Sequence, residues 1–337
     1  MEAHDDVVHY ARIISGLESV HEHINYNAGI DVDGKYALAV LELHAQDEGE
    51  REGTEGFMDS VKRGASNIYE WIKKLIQAIR GFIANARVEK EVDRMNELSK
   101  AMKDGLESSI IRRMALPQLV KHLKAANDPW RDGNERISLD VIAEEIDKMS
   151  PEQGKQVQVY LASIVDSPEY KEQVKQDHDF VVNKAIAALK PRLTELNSLL
   201  EQMNEADPDG NAAKELGIDP GRAFSKFGDL LNKVDHVSAS TLSTFTGDIG
   251  RGIVDATKLL KSATDRLALL NEKNKVGGGQ VVSQAARIVK LLTSFVEIGR
   301  KLVAQLTVIM EKGEYNALSV FISRRWFEAR TQFAAIK

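Results

Sequence analysis

Apolar residues fall at steps of three and four along this chain and almost nowhere at steps of two, which restricts it to helices. The pattern is sharpest in FMDSVKRGASNIYEWIKKLIQAIRGFIANA, residues 57–86. Phe57, Val61, Ala65, Ile68, Ile72, Leu75, Ile76, Ile79, Phe82 and Ile83 make one stripe. Lys62, Arg63, Lys73, Lys74 and Arg80 occupy the opposite side, with Tyr69 and Trp71 at the flanks. A helix with two such faces can bind anionic lipid, a nucleic-acid backbone or an acidic partner helix.

The same periodicity predicts a first helix from Asp5 to about Ile24. A loop follows through Asp33-Gly34, a turn signal, and a short apolar helix spans Tyr36 to Ala45. The acidic stretch QDEGEREGTEG, from Gln46 to Gly56, reads as a hinge. The basic helix then runs toward Ala126, with weak points at Gly81 and Gly105 and a break before Pro117. Asn127 to Glu135 is a loop, and Ser138, Ser150-Pro151-Glu152 and Ser167-Pro168-Glu169 are helix starts. A helix from Glu169 reaches Ala206, with a kink expected at Pro191. Further helices are expected over Arg222 to about Val234, Ser238 to Lys275 and Gln280 to Lys312, then Tyr315 to Lys337 after Gly313. The prediction is an all-α fold, an elongated multi-helix bundle with long antiparallel helices and little or no β structure. Three regions follow from it: an acidic helical segment and hinge at 1–56, a basic long-helix region at 57–126 and a C-terminal bundle at 127–337.

Composition narrows the function classes. The 337 residues are 43% hydrophobic with only seven prolines, so a core of long helices can form. The absence of cysteine excludes disulfides, thiol catalysis and cysteine-ligated metal sites. No run of about 18 apolar residues marks a transmembrane span. The acidic N-terminus does not read as a secretory signal. The net charge of −6 conceals a gradient. Residues 1–56 hold thirteen acids and three bases, a net of −10. Residues 61–87 carry a net of +5 and residues 273–337 a net of +7. Blocks of this kind suggest pairing within the chain or a basic face for a polyanion.

Motifs for catalysis are missing. His21-Glu22-His23 cannot easily aim both rings at one ion from a helix. Asp31-Val32-Asp33-Gly34 and Asp207-Pro208-Asp209-Gly210 echo a calcium loop but lack its later ligands, and turns are the simpler reading. Gly277-Gly278-Gly279 lacks the lysine of a phosphate loop and follows no strand, so it reads as a linker. The expectation is a non-enzymatic protein with no cofactor and no metal. A second basic–aromatic patch, Arg324, Arg325, Trp326 and Arg330, lies in the last helix, where Trp326 and Phe327 can equally plug the bundle end. Were the protein membrane-active, Phe57, Ile68, Trp71, Ile72, Leu75, Ile79 and Phe82 would enter the lipid interface. A third reading is a plain helical scaffold or partner-binding protein.

The segment from Gly56 to Ile83, with its Trp71-Ile72-Lys73-Lys74 core, resembles a cassette of the internal head proteins of large tailed bacteriophages. It covers about a tenth of the chain. The resemblance implies a cysteine-poor helical protein, with an acidic N-terminal part, packaged in the virion head. It would reside in the host cytoplasm during assembly. Its partners would be packaged DNA or other virion proteins of the capsid or core, and ejection with the genome would follow. The residues meeting the polyanion would be Lys62, Arg63, Lys73, Lys74 and Arg80. Membrane-surface contact and self-association are both compatible with such a helix, and no small-molecule substrate is indicated.

Overall fold

Several helices here begin where a side chain accepts the amides that a first turn leaves unpaired. The computed structural model describes residues 2–26, 29–47, 68–85, 87–104, 144, 148–156, 159, 167–273 and 280–334. Nine α-helices are named among the described residues: α1 (Glu2–Tyr26), α2 (Val32–Asp47), α3 (Ile68–Asn85), α4 (Val88–Asp104), α5 (Pro168–Ala206), α6 (Asn211–Leu216), α7 (Pro220–Lys233), α8 (Ala239–Lys273) and α9 (Gln280–Ala334). None of the described residues lies in a strand, so the all-α bundle expected from the periodicity is the fold.

The two calcium-like turns are helix caps. The Asp31 carboxylate accepts the Gly34 amide at 2.6 Å, and the Asp31 amide donates to Ser19 Oγ of α1 at 3.1 Å. The Asp207 carboxylate accepts the Ala212 and Ala213 amides at 3.1 and 2.7 Å, opening α6. Ser150 and Gln153 form a reciprocal capping box. Pro168 stands first in α5, as the Ser-Pro-Glu pattern predicts.

Several boundaries differ from the sequence reading. Asp33-Gly34 belongs to the first turn of α2 and not to a loop. Gly34 serves close packing there: a Cβ would lie 2.6 Å from Ile30 Cγ2 and 3.0 Å from Ser19 Oγ. The basic helix is interrupted at Arg87, and α4 begins at Val88; Gly81 lies inside α3. Gly313 does not end its helix either, because α9 runs on to Ala334. A single glycine costs a helix only about 1 kcal/mol, which a helix of this length absorbs. α5 runs through Pro191 to Ala206, as the sequence reading expects. Of the hinge expected from Gln46 to Gly56, Gln46 and Asp47 instead belong to α2. The rest of that hinge, the expected weak point at Gly105, the break at Pro117, the loop at Asn127–Glu135, the start at Ser138 and the Gly277–Gly279 breaker lie outside the described residues.

The chain packs as two compact units, each gathered from separate stretches. The first comprises Met1–Lys90, Pro191–Asn232 and Arg251–Lys301. Within it α1 packs on both α2 and α3. Ile13, Leu17, Ile72, Leu75 and Ile79 are fully enclosed. Phe224 and Phe227 of α7 meet Phe295 of α9, with ring centroids 4.5 and 5.0 Å away. The second unit comprises Glu91–Lys190, Lys233–Gly250 and Leu302–Lys337. Its core includes Met95, Leu189, Ile249 and Leu306. A buried hydrogen bond from Thr246 Oγ1 to Ser99 Oγ, 2.8 Å long, ties α4 to α8 there.

The α1–α2 crossing depends on Gly16. A Cβ at Gly16 would strike the Asp33 backbone carbonyl and sit 2.7 Å from Ala37 Cβ, and backbone cannot swing aside. Gly81 has nothing within 4 Å of the same position. Glycine to alanine inside a helix ordinarily stabilises by roughly 0.5–1 kcal/mol. Gly81→Ala should follow that rule, whereas Gly16→Ala should destabilise by about 1–3 kcal/mol through overpacking. Urea unfolding of the two variants measures the opposite signs.

Candidate functional site

α3 has a buried side and a wet side. Ile72, Leu75 and Ile79 have no exposure, and Ile76, Phe82 and Trp71 are 4%, 3% and 8% exposed. Lys73, Lys74, Gln77 and Arg80 face solvent. Steps of three and four place the first group on one stripe, so burying it turns the cations outward.

Neighbouring helices of the same unit fix this orientation. On α1, Tyr10 lies 6.2 Å from the Trp71 ring and His4 lies 6.1 Å from the Phe82 ring. On α8, Asn271 Nδ2 donates to the Tyr69 carbonyl at 3.0 Å, and Glu272 accepts from the Tyr69 hydroxyl. On α9, the Arg300 guanidinium stands 5.9 Å from the Phe82 centroid. Tyr69 and Trp71 therefore anchor the start of α3 to its own bundle.

Each described cation of the wet side has a contact it can exchange. Arg80 Nη2 pairs with Asp265 Oδ1 of α8 at 3.1 Å, both side chains being more than half exposed. Lys73 is 4.0 Å from Glu70 one turn away. Lys74 Nζ lies 4.3 Å from the Trp71 centroid. Ion pairs this exposed contribute about 0–1 kcal/mol, so a phosphate can replace the carboxylate at little cost.

The remaining sequence candidates are placed less fully. Lys62, Arg63 and Phe57 lie outside the described residues. Arg324, Arg325, Trp326 and Arg330 stand on the helical backbone of α9, with side chains outside the described set. Ile68 is half-buried. Trp71, Ile72, Leu75, Ile79 and Phe82, the set assigned to a lipid interface, are members of the protein core in this structure. For them to meet lipid, α3 would have to leave its bundle. No helix among the described residues is long and apolar enough to cross a membrane. No group of three His, Asp or Glu side chains suited to a metal occurs among the described residues. No protein-family model matches the chain, and neither a curated protein nor a solved structure does.

Two features were beyond the sequence. Asp265 and Glu272 reach α3 from nearly 200 positions away, and nothing local signals that. A polar cluster joins α1 and α2: Arg12 Nε donates to Asp33 Oδ1 at 3.1 Å, His9 Nδ1 and the Tyr36 hydroxyl are 2.7 Å apart, and Arg12 lies 4.1 Å from the Tyr36 centroid. Lys290 and Arg287 of α9 line a cavity beside Asp33.

The His4 imidazole is held below its ordinary value of 6.5 by burial, with Glu297 opposing and Lys301 reinforcing. An unfolded chain therefore protonates His4 first, so this group withdraws stability as pH falls below 6.5. His4→Phe should flatten that part of the acid limb in thermal unfolding measured from neutral pH downward. The sidedness of α3 has its own signature. Leu75→Ala should destabilise by about 2–5 kcal/mol. Lys73→Gln and Lys74→Gln should stay within about 0.5 kcal/mol of wild type. Chemical denaturation of the three variants checks this.

Proposed function

We propose that this protein is a non-enzymatic structural component that meets a polyanion through the cationic side of α3. The resemblance of the Gly56–Ile83 segment to internal head proteins of large tailed phages makes packaged DNA the polyanion and the virion head interior the setting. The observation that carries the reading is the orientation of α3: its apolar stripe is spent on the core, and Lys73, Lys74 and Arg80 remain outward. Contact of this kind neutralises phosphates without reading bases and weakens steeply with salt. Asp265 acts as an internal competitor for Arg80.

The buried stripe also favours a second reading, in which α3 is an ordinary bundle helix and its lysines are a solvated face. One experiment separates them. Retention on immobilised duplex DNA is measured from low to high salt for wild type, for a variant with Lys62, Arg63, Lys73, Lys74 and Arg80 changed to glutamine, and for Asp265→Asn. The proposal expects the five-site variant to elute earlier, with the salt dependence reduced by about one unit of slope per lost phosphate contact. It expects Asp265→Asn to elute later. Equal retention of wild type and the five-site variant favours the solvated-face reading and ends the proposal.

A further inference from the structure

The polar cluster of α1 and α2 borders a cavity in the first unit, unconnected with the wet side of α3. The cavity has a volume of about 80 Å³. Its polar lining is Ser15 of α1, Asp33 of α2, Gln202 of α5, and Ser283, Arg287 and Lys290 of α9. Apolar residues such as Ile14, Leu75 and Leu291 close the remainder. One water needs roughly 10–15 Å³ of such space, so this cavity has room for several waters or for one compact ion.

Charge decides between these occupants. Asp33 is the one carboxylate among the described lining residues, and Arg12 already neutralises it through the 3.1 Å ion pair. Lys290 and Arg287 make no ion pair or hydrogen bond with a described residue. Two cations, Lys290 half-buried and Arg287 exposed, thus line a space whose one carboxylate among the described lining residues is already paired with Arg12, while Ser15, Ser283 and Gln202 supply neutral donors. Ser283 is only 3% exposed, so solvent does not compete freely at that wall. A metal cation would meet repulsion from Lys290 and Arg287, and an apolar ligand would leave the half-buried Lys290 unanswered.

We propose that this cavity binds a small free oxyanion of the phosphate or sulfate type, held by Lys290 and Arg287 with hydroxyl and amide donors around it. Desolvation agrees with that role. Burial lowers the Lys290 amine below its ordinary value, Asp33 opposes the shift, and Arg287 and Arg12 add to it. Lys290 is therefore a partly desolvated charge that a bound oxyanion would relieve. Binding to the folded state alone also raises the unfolding temperature as the anion concentration rises.

Inorganic phosphate is the probe. Its binding is followed by calorimetric titration into the full chain at fixed ionic strength. Thermal unfolding in phosphate is compared with unfolding in chloride of equal ionic strength. Wild type, Lys290→Met and Arg287→Gln are measured together. Wild type is expected to bind one phosphate and to gain unfolding temperature. Lys290→Met is expected to lose most of that binding, yet to unfold in chloride no lower than wild type, because the substitution removes a desolvated charge. Arg287 is exposed, so its variant reports binding even if Lys290→Met fails to fold. A short oligonucleotide added to the phosphate complex identifies the source of the oxyanion. A free ion inside the cavity is not displaced, whereas displacement that depends on Lys290 assigns the site to phosphate carried on a polymer and overturns the free-ion proposal. Absence of phosphate binding by wild type, or equal binding by wild type and both variants, overturns it as well.

Discussion

The apolar stripe of α3 sets the terms for the rest of the first unit. Enclosing Ile72, Leu75 and Ile79 stabilises by about 1.5–3 kcal/mol for each side chain. The exposed pair between Arg80 and Asp265 contributes at most about 1 kcal/mol. Packing, rather than charge, therefore orients the helix. Turning it by one residue would expose a leucine and press a lysine into the core, with both changes unfavourable. The cationic side is the geometric consequence of the buried one.

The first unit consequently presents positive charge in two settings. Lys73 and Lys74 stand in water, where their contacts are weak and exchangeable. Such groups suit a polymer of phosphates that binds by many small increments and releases in salt. Lys290 stands partly enclosed, next to a cavity whose one carboxylate among the described residues is already paired. A charge held away from water interacts more strongly with one well-placed counterion. The same residue type thus points to a polyelectrolyte at one place and to a discrete ion at the other, and solvent access makes the difference.

Much of this was legible in the order of residues, and the failures have physical causes. The stripe of α3 and the acidic-to-basic gradient follow directly from the spacing. Serine-proline-glutamate marked the start of α5, and Ser150 capped as expected. Asp33-Gly34 was misread because a turn and a tight helix crossing both demand glycine, and only the neighbour, Ser19 of α1, tells them apart. Gly313 was misread because the cost of one glycine is small against the packing of a 55-residue helix. The break at Arg87 carries no proline or glycine and had no local signal. The cavity was invisible, since Asp33 and Lys290 are brought together only by the fold.

The central claim is that α3 is docked by its apolar side in the free protein while its lysines stay in water. Amide hydrogen exchange along residues 68–85, read by mass spectrometry without ligand, tests this most directly. The account predicts strong protection from Ile72 through Phe82, comparable with the parts of α8 and α9 that belong to the same unit, residues 251–273 and 280–301. Exchange as fast as that of an unstructured peptide would contradict it, since a helix detached from its bundle has no fixed side to offer.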